Sequence, residues 1–478
     1  MKIKITAILL LLVMTGIVIS CAQTDNPAEN TTAADGITQP ENTPETQTTA
    51  PEPDLPDKDF EGYEFKIMNR IYGYSCYNFE YQVVEREDGS LINDAVYRRN
   101  LTVEEMYNVK ISEIIVTDIA NDVKKSILAG DQAFDLAFVR SEHIAPIVAP
   151  GMLIDFKTIP YIDMEKPWWD QNARRDLSVL NKQFWMNSDI GISHYDTAII
   201  MFFNKKIAAD YNLPDFYQLV RDGKWTYDVF SQSIKDLPID IDGNGTFDKN
   251  DFWPMAGWHS ITYTQWFHSG GQKIVTKDSN DSLVFNAATQ AFSDQFYKVK
   301  EVLANCKIPG ADKNADHLAM FNNDLLMFFS ATTGEAKEFR DMESDFGIIP
   351  APKPSEAQES YYVYSNYPVS MIVPATTADI ERTGILIEAL SYEGYKTVIP
   401  NYYQIMIQTK YIRDTDTIDM LDNYINNNLM YDIGNDIIRT IGEPITKLLM
   451  DDKDLTSYIA SAESSVEGML SDFLSQIE

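Results

Sequence analysis

The sequence is poor in the residue types that most often carry covalent or metal chemistry. Its 478 residues include three cysteines and five histidines, and the histidines show no metal-ligand spacing. It contains no G-x-S-x-G, H-E-x-x-H or C-x-x-C motif and no phosphate-binding P-loop. The specific signatures of the common enzyme classes are therefore missing.

Basic residues are also scarce, with 39 lysines and arginines against 72 aspartates and glutamates. The formal net charge of −33 argues against a nucleic-acid partner, because phosphate backbones are bound by basic patches. No period of about 20 to 50 residues repeats, which argues against a solenoid and against a repeat-built adhesin or scaffold. No apolar run beyond the N-terminus is long enough to span a bilayer.

The N-terminus reads as a lipoprotein signal peptide. Lys2 and Lys4 precede a mostly apolar stretch over residues 5–19, and the sequence Val-Ile-Ser-Cys ends at Cys21. This pattern predicts cleavage after residue 20 and lipidation of Cys21, which would hold the product on the extracytoplasmic face of the cell membrane. The alternative is an ordinary secretory signal followed by an incidental cysteine.

The next segment is predicted to be a tether. Residues 21–56 are rich in Thr, Pro and Glu and contain no aromatic residue, so they cannot bury enough apolar surface to fold. The body, residues 57–478, is longer than one hydrophobic core usually serves, which predicts two lobes. Cys76 and Cys306 lie in this body, and the sequence leaves open whether they are free or bridged.

Strand and helix patterns alternate along the body. Tyr63, Phe65 and Ile67 alternate with polar residues, residues 134–139 and 198–204 are short apolar runs, and residues 118–129 have helical periodicity. Alternation of this kind predicts an α/β fold with mostly parallel sheets.

The most specific chemical motif is the acidic segment of residues 240–251, DIDGNGTFDKND. A twelve-residue calcium loop takes oxygen ligands at positions 1, 3, 5, 7, 9 and 12 and a glycine at position 6, here Gly245. The predicted Ca²⁺ ligands are Asp240, Asp242, Asn244, the Thr246 carbonyl, Asp248 and Asp251. Position 12 is aspartate rather than glutamate, and Pro254 leaves only the incoming side helical. The alternative is an acidic turn without metal; a bound calcium would be structural.

Several further segments occur in a characteristic order along the chain. They are AVYRRN, FDLAFV, KPWWD, AIIMFFNKKIAADYNLP, WTYDVF, the DIDGNG loop, DFGIIPAPK and ILIEALSYEGYK. With the lipobox and tether, this order resembles bacterial extracellular solute-binding lipoproteins of family 1, the carbohydrate-transporter type. The resemblance implies a two-lobe α/β fold of the type II periplasmic-binding-protein class, with a ligand cleft between the lobes. It also implies a monomer that delivers a sugar or oligosaccharide to an ABC permease.

The same resemblance implies where the chain crosses between lobes. The crossings are expected near residues 192–204 and 361–373. Lobe 1 then comprises about 57–195 and 373–410, and lobe 2 about 204–361 and 411–478. Cleft loops are expected at 139–143, 194–197, 258–263 and 330–333.

Sugars are held by aromatic rings that pack on their C–H faces and by polar groups that bind their hydroxyls. The expected rings are Trp258, His259 and Tyr263, and the expected polar ligand contacts are Arg140, Glu142, Asp196 and Thr332. A core position remains the alternative for each aromatic residue. Trp168 and Trp169, beside Pro167, are expected to be structural residues of a surface turn.

The sequence thus predicts a binding protein rather than an enzyme. The alternative is a surface-anchored carbohydrate-active enzyme, which would require two opposed carboxylates. With 72 acidic residues some pair can always be proposed, so composition does not decide between the two.

Overall fold

The structure is a computed structural model that describes residues 51–237, 240–245, 248, 250–304, 317–408, 415–451 and 453–478. The predicted signal peptide, the lipidation site Cys21, nearly all of the tether, Thr246 and Cys306 lie outside the described residues. Within the described part, residues from Pro51 to Glu478 form one unit.

The strands are short, and half of them are buried at every residue. They are β1 (Tyr63–Asn69), β2 (Val109–Ile115), β3 (Leu136–Arg140), β4 (Ile199–Asn204), β5 (Trp253–Gly257), β6 (Val275–Lys277), β7 (Leu283–Phe285), β8 (Leu326–Thr332), β9 (Phe346–Ile349), β10 (Val363–Tyr364), β11 (Val369–Ile372) and β12 (Leu429–Met430).

The helices surround the sheets. They are α1 (Leu91–Tyr107), α2 (Ile119–Ala129), α3 (Gln171–Asp176), α4 (Ser193–Asp196), α5 (Lys205–Asp210), α6 (Phe216–Arg221), α7 (Tyr227–Ile234), α8 (His259–Ser269), α9 (Gln290–Ala304), α10 (His317–Asn322), α11 (Ile380–Gln408), α12 (Thr415–Asp419), α13 (Ile433–Asp436), α14 (Arg439–Met450) and α15 (Leu455–Ile477). Among the described residues no helix is both long and apolar enough to cross a bilayer.

The first lobe is built on a four-stranded sheet with the order β11-β3-β1-β2. β1 is parallel to β2, with Tyr63 opposite Val109, and is also parallel to β3. The alternation predicted for β1 is present, since Phe65 and Ile67 are fully buried while Glu64 is exposed. The long helix α11 packs against α1 in this lobe.

The second lobe is built on a sheet with the order β5-β8-β4-β9. Every residue of β4 and β8 is buried, which is typical of a strand covered on both faces. Phenylalanines dominate this core: Phe202 and Phe203 lie on β4 and Phe328 and Phe329 on β8, and all four are buried. α8 packs on β4, β5 and β8, and α14 packs on α8.

The prediction of mostly parallel sheets holds for three strands of each four-stranded sheet and fails for the fourth. Within the two described four-stranded sheets, β4 runs antiparallel to β8 and β9, and β11 runs antiparallel to β3. β4 and β11 are the strands through which the chain enters each lobe from the other. The other strands of each sheet are parallel, and their carboxyl ends face the opposite lobe. A strand that comes from that lobe starts at those carboxyl ends, and it is therefore antiparallel to its neighbour.

The two crossing segments run side by side. The Asn366 N–H donates to the Thr197 carbonyl at 2.8 Å, Ala198 pairs with Ser365 through an antiparallel bridge, and the Ser193 hydroxyl donates to the Val369 carbonyl at 3.1 Å. The lobes are therefore joined by a paired connection rather than by independent linkers.

Trp168 and Trp169 lie in the core and not in a surface turn. Both are buried, and their indole N–H groups donate to the two carboxylate oxygens of Glu388 on α11, at 2.8 and 3.0 Å. Burial raises the pKa of Glu388 to about 7, although the two indole donors oppose the shift. The structural role expected for the tryptophans is present, but the expected surface location is wrong, because α11 covers them.

Candidate functional site

The carboxyl ends of the parallel strands in both lobes face one shared cleft. β1 and β3 end at Asn69 and Arg140 in the first lobe, and β5 and β8 end at Gly257 and Thr332 in the second. In α/β sheets ligands bind at this edge. A cavity of about 330 Å³ lies here and is lined by Arg140, Ser260, Ile261, Thr264, Asn366, Tyr367, Asn435, Arg439, Glu443, Thr446, Lys447 and Met450. Its size falls in the range of roughly 300–1,000 Å³ that small-molecule sites occupy.

An arginine–glutamate–arginine triad joins the two lobes inside this cleft. Arg140 Nη1 donates to Glu142 Oε1 at 2.7 Å, and Arg439 Nη1 donates to Glu142 Oε2 at 2.8 Å. The Arg140 and Glu142 side chains are only 13% and 14% exposed. Arg140 and Glu142 belong to the first lobe and Arg439 begins α14 of the second, so this carboxylate bridges the lobes.

Tyrosine rings surround the same guanidinium groups. The Arg140 guanidinium lies 5.0 Å from the Tyr74 ring centre, 5.5 Å from that of Tyr72 and 5.2 Å from that of Tyr367. Arg439 lies 5.3 Å from the Tyr367 ring centre, so Tyr367 contacts both cations. Tyr74 is 51% exposed and offers its ring to the cleft.

The segment after β1 extends from the first lobe to the second. Lys337 Nζ donates to the Tyr77 carbonyl at 2.8 Å. The Cys76 carbonyl lies so close to Gly334 that a Cβ there would approach it to 1.9 Å, so glycine is required at this contact. Cys76 is the only cysteine within the described residues, and burial raises the pKa of its thiol to about 12.

Trp258 is the exposed aromatic residue that ends β5 and precedes α8. Its side chain is 43% exposed and forms a hydrogen bond with Glu335, whose carboxylate also accepts from the Ser75 hydroxyl at 3.3 Å. Burial raises the pKa of Glu335. An exposed ring fixed by a buried carboxylate is a suitable stacking surface for a sugar, and the ligand contact expected of Trp258 stays a prediction.

Asp196 and Thr332 are buried rather than exposed to the cleft, which contradicts their predicted role as ligand contacts. Asp196 is fully buried and accepts from both the backbone and the side-chain N–H of Asn78. Burial raises the pKa of Asp196 to about 6, and the Asn78 donors oppose the shift. Thr332 caps the short helical turn that follows β8 and forms a reciprocal capping box with Glu335. The Asp196 side chain therefore stabilises the segment at Asn78, and the Thr332 side chain stabilises the turn that follows β8.

The other two predicted ring residues are Tyr263 and His259, and the structure describes the side chain of Tyr263 only. Tyr263 is half-buried on α8 and packs against the core. His259 begins α8, but its side chain lies outside the described part of the chain. Of the predicted ligand contacts, Arg140 lines the cavity, Glu142 is bonded to it, and Trp258 is exposed at the end of β5.

Sequence reasoning missed the tyrosine segment and the arginine of α14. Tyr72, Tyr74 and Tyr77 lie within six residues directly after a strand, and this aromatic clustering was a usable signal. Arg439 carried no local signal, because its partner Glu142 lies 297 positions earlier in the chain.

The carboxylates of Asp240, Asp242 and Asp251 converge as the calcium motif predicts. One oxygen of each lies within 4.8 Å of the others. The Gly243 and Gly245 N–H groups donate to the two oxygens of Asp240, at 2.7 and 3.0 Å. Three converging carboxylates are the hard oxygen donors that Ca²⁺ prefers, so these residues fit the ion.

The other predicted calcium ligands are not part of this group of three carboxylates. The Asp248 carboxylate accepts from the Asn250 N–H at 2.8 Å, and Asn244 donates through its side chain to Asp242 at 2.7 Å. Thr246 lies outside the described residues. The structure thus brings together three of the predicted ligands.

Other depressions lack the features of the cleft. One of about 470 Å³ lies between β7 and α15, away from the strand ends, and its charged lining residues are Glu463, Glu467 and Glu478. A polar depression of about 380 Å³ lies beside the connection, near His194 and Tyr403. Neither combines exposed aromatic rings with charged groups from the strand ends of both lobes.

No protein-family model and no curated protein matches the sequence. Solved structures do match. One is the ABC substrate-binding protein Lmo0181 from Listeria monocytogenes in complex with cycloalternan, with a TM-score of 0.53 and 13% identity over 86% of this chain and 99% of that chain. A second is a cyclo/maltodextrin-binding protein complexed with maltotetraose, with a TM-score of 0.53 and 13% identity over 87% of this chain and 97% of that one.

A third is UspC of M. tuberculosis, with a TM-score of 0.54 and 13% identity over 84% of this chain and 98% of that one. These similarities show the fold: the chain has the two-lobe α/β architecture of periplasmic sugar-binding proteins. The predicted fold class is confirmed.

Proposed function

We propose that this protein is a solute-binding protein that captures a carbohydrate in the interlobe cleft and delivers it to an ABC importer. The observation that carries the proposal is the composition of the cleft, since both lobes contribute side chains to it and Glu142 already bonds Arg439 across it. A ligand that contacts both lobes binds the closed form better than the open form, and this difference in affinity drives closure.

The exposed rings of Trp258 and Tyr74 support a carbohydrate rather than an apolar ligand, because the C–H faces of sugars pack on such rings while polar neighbours bind the hydroxyls. The ligands of two structural neighbours, cycloalternan and maltotetraose, belong to the same chemical class.

The carboxylates bonded to the cleft cations argue against the enzyme alternative, and Glu335, whose pKa is raised, is buried and already bonded to Ser75 and Trp258. Both oxygens of Glu142 already accept from arginines, and the Lys447 ammonium lowers the pKa of Glu443. A glycosidase needs a carboxylic acid whose pKa is raised, so that it donates a proton at neutral pH.

The function is tested by screening the purified protein against a carbohydrate library by thermal shift, followed by calorimetry and small-angle scattering on each hit. We expect a stabilising ligand, a decrease in radius of gyration on binding, and no turnover. Release of shortened glycans would support the enzyme instead, and binding without compaction would contradict the closure mechanism.

We further propose that residues 1–20 are a signal peptide, that Cys21 carries the lipid, and that residues 21–56 tether the two-lobe body, 57–478, to the outer face of the membrane. Cys21→Ala should abolish acyl labelling and remove the protein from the lipoprotein fraction. Unchanged labelling of that variant would overturn the lipoprotein assignment.

We also propose that the loop of residues 240–251 binds a structural Ca²⁺. The support is the convergence of Asp240, Asp242 and Asp251 next to the second lobe, where β5 begins two residues after the loop. Its test is the first prediction of the Discussion.

A further inference from the structure

The cleft differs in charge from the rest of the protein. The chain carries a formal net charge of −33, yet the cavity is lined by three cationic side chains and one carboxylate, that of Glu443. The cations are Arg140, Arg439 and Lys447. Arg70, which lies 4.9 Å from the Tyr72 ring centre, adds a fourth cation behind the tyrosines. A local excess of positive charge is the opposite of what the composition of the chain would produce at a random surface position.

The carboxylates of the cleft are already occupied by these cations. Glu142 bonds Arg140 and Arg439, and Glu443 accepts from Lys447 at 2.8 Å and lies 3.6 Å from Arg439. His143, next to Glu142, adds no charge at neutral pH, because burial and repulsion from Arg70 lower its pKa. The cationic groups therefore retain a surplus after every carboxylate of the cavity has been paired.

Two guanidinium donors in the cleft remain unused. Within the described part of the chain, neither Arg140 Nε nor Arg439 Nε has a hydrogen-bond acceptor, and both atoms are buried. A buried donor on a charged group that is left unsatisfied destabilises the protein. Guanidinium groups bind carboxylates through two parallel N–H···O bonds. The guanidinium of Arg439, whose side chain is 41% exposed and whose Nε is not engaged by the protein, is the group that a second anion would approach.

Two helix N-termini at the cleft also favour a negatively charged ligand. α8 begins at His259 and α14 begins at Arg439, and neither has a side-chain cap. The first turns of both helices contribute a residue to the cavity, Ser260 and Arg439, and an uncapped helix N-terminus favours negative charge nearby. Tyr367, in contact with both guanidinium groups, holds these in fixed positions before any ligand arrives.

We propose that the solute is an acidic carbohydrate, one that carries a uronate carboxylate between Arg140 and Arg439 while its ring stacks on Trp258 or Tyr74. This inference rests on the proposed function, because it specifies the ligand class of the same cleft. A neutral oligosaccharide would leave the surplus positive charge of the cavity without a counter-charge.

Calorimetry with matched ligands tests the proposal. The probes are oligogalacturonates and oligoglucuronates, each paired with its carboxyl-reduced neutral counterpart, so that only the charge differs within a pair. We expect one acidic probe to bind about tenfold to hundredfold more tightly than its neutral counterpart, with an affinity that falls as salt is raised.

Arg439→Gln supplies the decisive variant, because its partly exposed side chain can be changed without opening the core. It should reduce the ratio of acidic to neutral affinity toward one. Arg98→Gln, which removes an equal charge from an exposed site bonded to Glu87, should leave that ratio unchanged.

The outcomes separate this inference from the proposed function. Neutral probes that bind as tightly as acidic ones overturn the uronate assignment and leave a sugar-binding protein. An unchanged ratio in Arg439→Gln overturns the role of that arginine in selecting the anion. An absence of binding by either class contradicts both proposals.

Discussion

The interlobe cleft and the loop of residues 240–251 are both clusters of charged side chains, but they are assembled in opposite ways. The loop brings three carboxylates of like charge together within twelve residues, positioned by its own backbone N–H groups. The cleft alternates charges of opposite sign on side chains that lie 297 positions apart and are positioned by two lobes. The positions of the charged groups are therefore determined by nearby residues in the loop and by the packing of distant segments in the cleft.

The difference has an energetic consequence. Like charges that converge repel one another, so the loop is stabilised when a cation is bound. The triad of the cleft supplies its own counter-charges and holds its shape without an ion. The loop should therefore respond to chelation and the cleft should not.

The largest effect is expected for Asp251→Ala. Asp251 is fully buried and accepts from the Ile241 and Asp248 N–H groups at 3.1 and 2.8 Å. At a calcium concentration 100 times the dissociation constant, the ion adds about 2.7 kcal/mol to the free energy of unfolding. The variant should lose this term and about 1 to 3 kcal/mol more, because two backbone donors are left unsatisfied.

Denaturant unfolding in millimolar calcium and in EGTA measures both the contribution of calcium to the free energy of unfolding and the contribution of the two hydrogen bonds. Asp240→Ala should lose the calcium term, and Asp236→Ala, at a highly exposed position just outside the loop, should keep it. Wild-type protein that unfolds identically in calcium and EGTA would make the loop an ordinary acidic turn.

Trp258→Ala tests the aromatic side of the cleft. Removing this exposed ring should weaken ligand binding by about 2 to 4 kcal/mol, the range of a truncated anchor residue, and leave the melting temperature of the free protein nearly unchanged. Tyr161→Ala, at a comparably exposed aromatic residue outside the cleft, is the control. Calorimetry that shows normal binding by Trp258→Ala would exclude this tryptophan from the site.

Glu388 provides a third kind of carboxylate, bonded to two indoles and positioned by neither a cation nor other converging acids. Because its pKa in the folded protein is raised to about 7, its protonated form stabilises the fold at low pH, and that stability is lost as the pH rises through 7. We expect the difference in unfolding free energy between wild type and Glu388→Gln to change by about 1 to 3 kcal/mol between pH 5 and pH 8, in favour of the variant at pH 8. A difference that stays constant across this range would contradict the raised pKa.

The smallest effect is expected for Glu142→Gln, which removes the negative charge of the triad and leaves one acceptor oxygen in place of two. The variant should lower the free energy of unfolding by about 1 to 2 kcal/mol, because one arginine keeps a neutral acceptor while the partly exposed Arg439 can turn to water. EGTA should not alter this loss. If it did, the cleft and the loop would be coupled, and their comparison as independent sites would fail.

Local features were the ones that the sequence predicted well. The helix expected over 118–129 begins after the Asp118 cap and ends at Gly130, and Thr226 caps α7 as expected. In each case the deciding interaction lies within a few residues. The three converging aspartates of the calcium motif belong to the same class.

Features that depend on distant partners were missed or misplaced. Asp196 was expected in the cleft, but Asn78, 118 positions away, holds it in the interior. Arg439 was not foreseen, because nothing near it in sequence indicates Glu142. The direction of β4 and β11 depends on which lobe the chain has just left. Hydrophobic periodicity indicates that a segment is a strand but does not indicate its direction within the sheet.

The paired connection between Thr197–Ala198 and Ser365–Asn366 has a consequence for the motion itself. Two bodies joined by one flexible covalent link retain three rotational degrees of freedom, whereas a hydrogen-bonded ribbon of two strands resists twist and leaves mainly a bend about a single axis. In the closure proposed above, the lobes would follow one arc about this axis, and Arg439 would return each time to the same position beside Glu142.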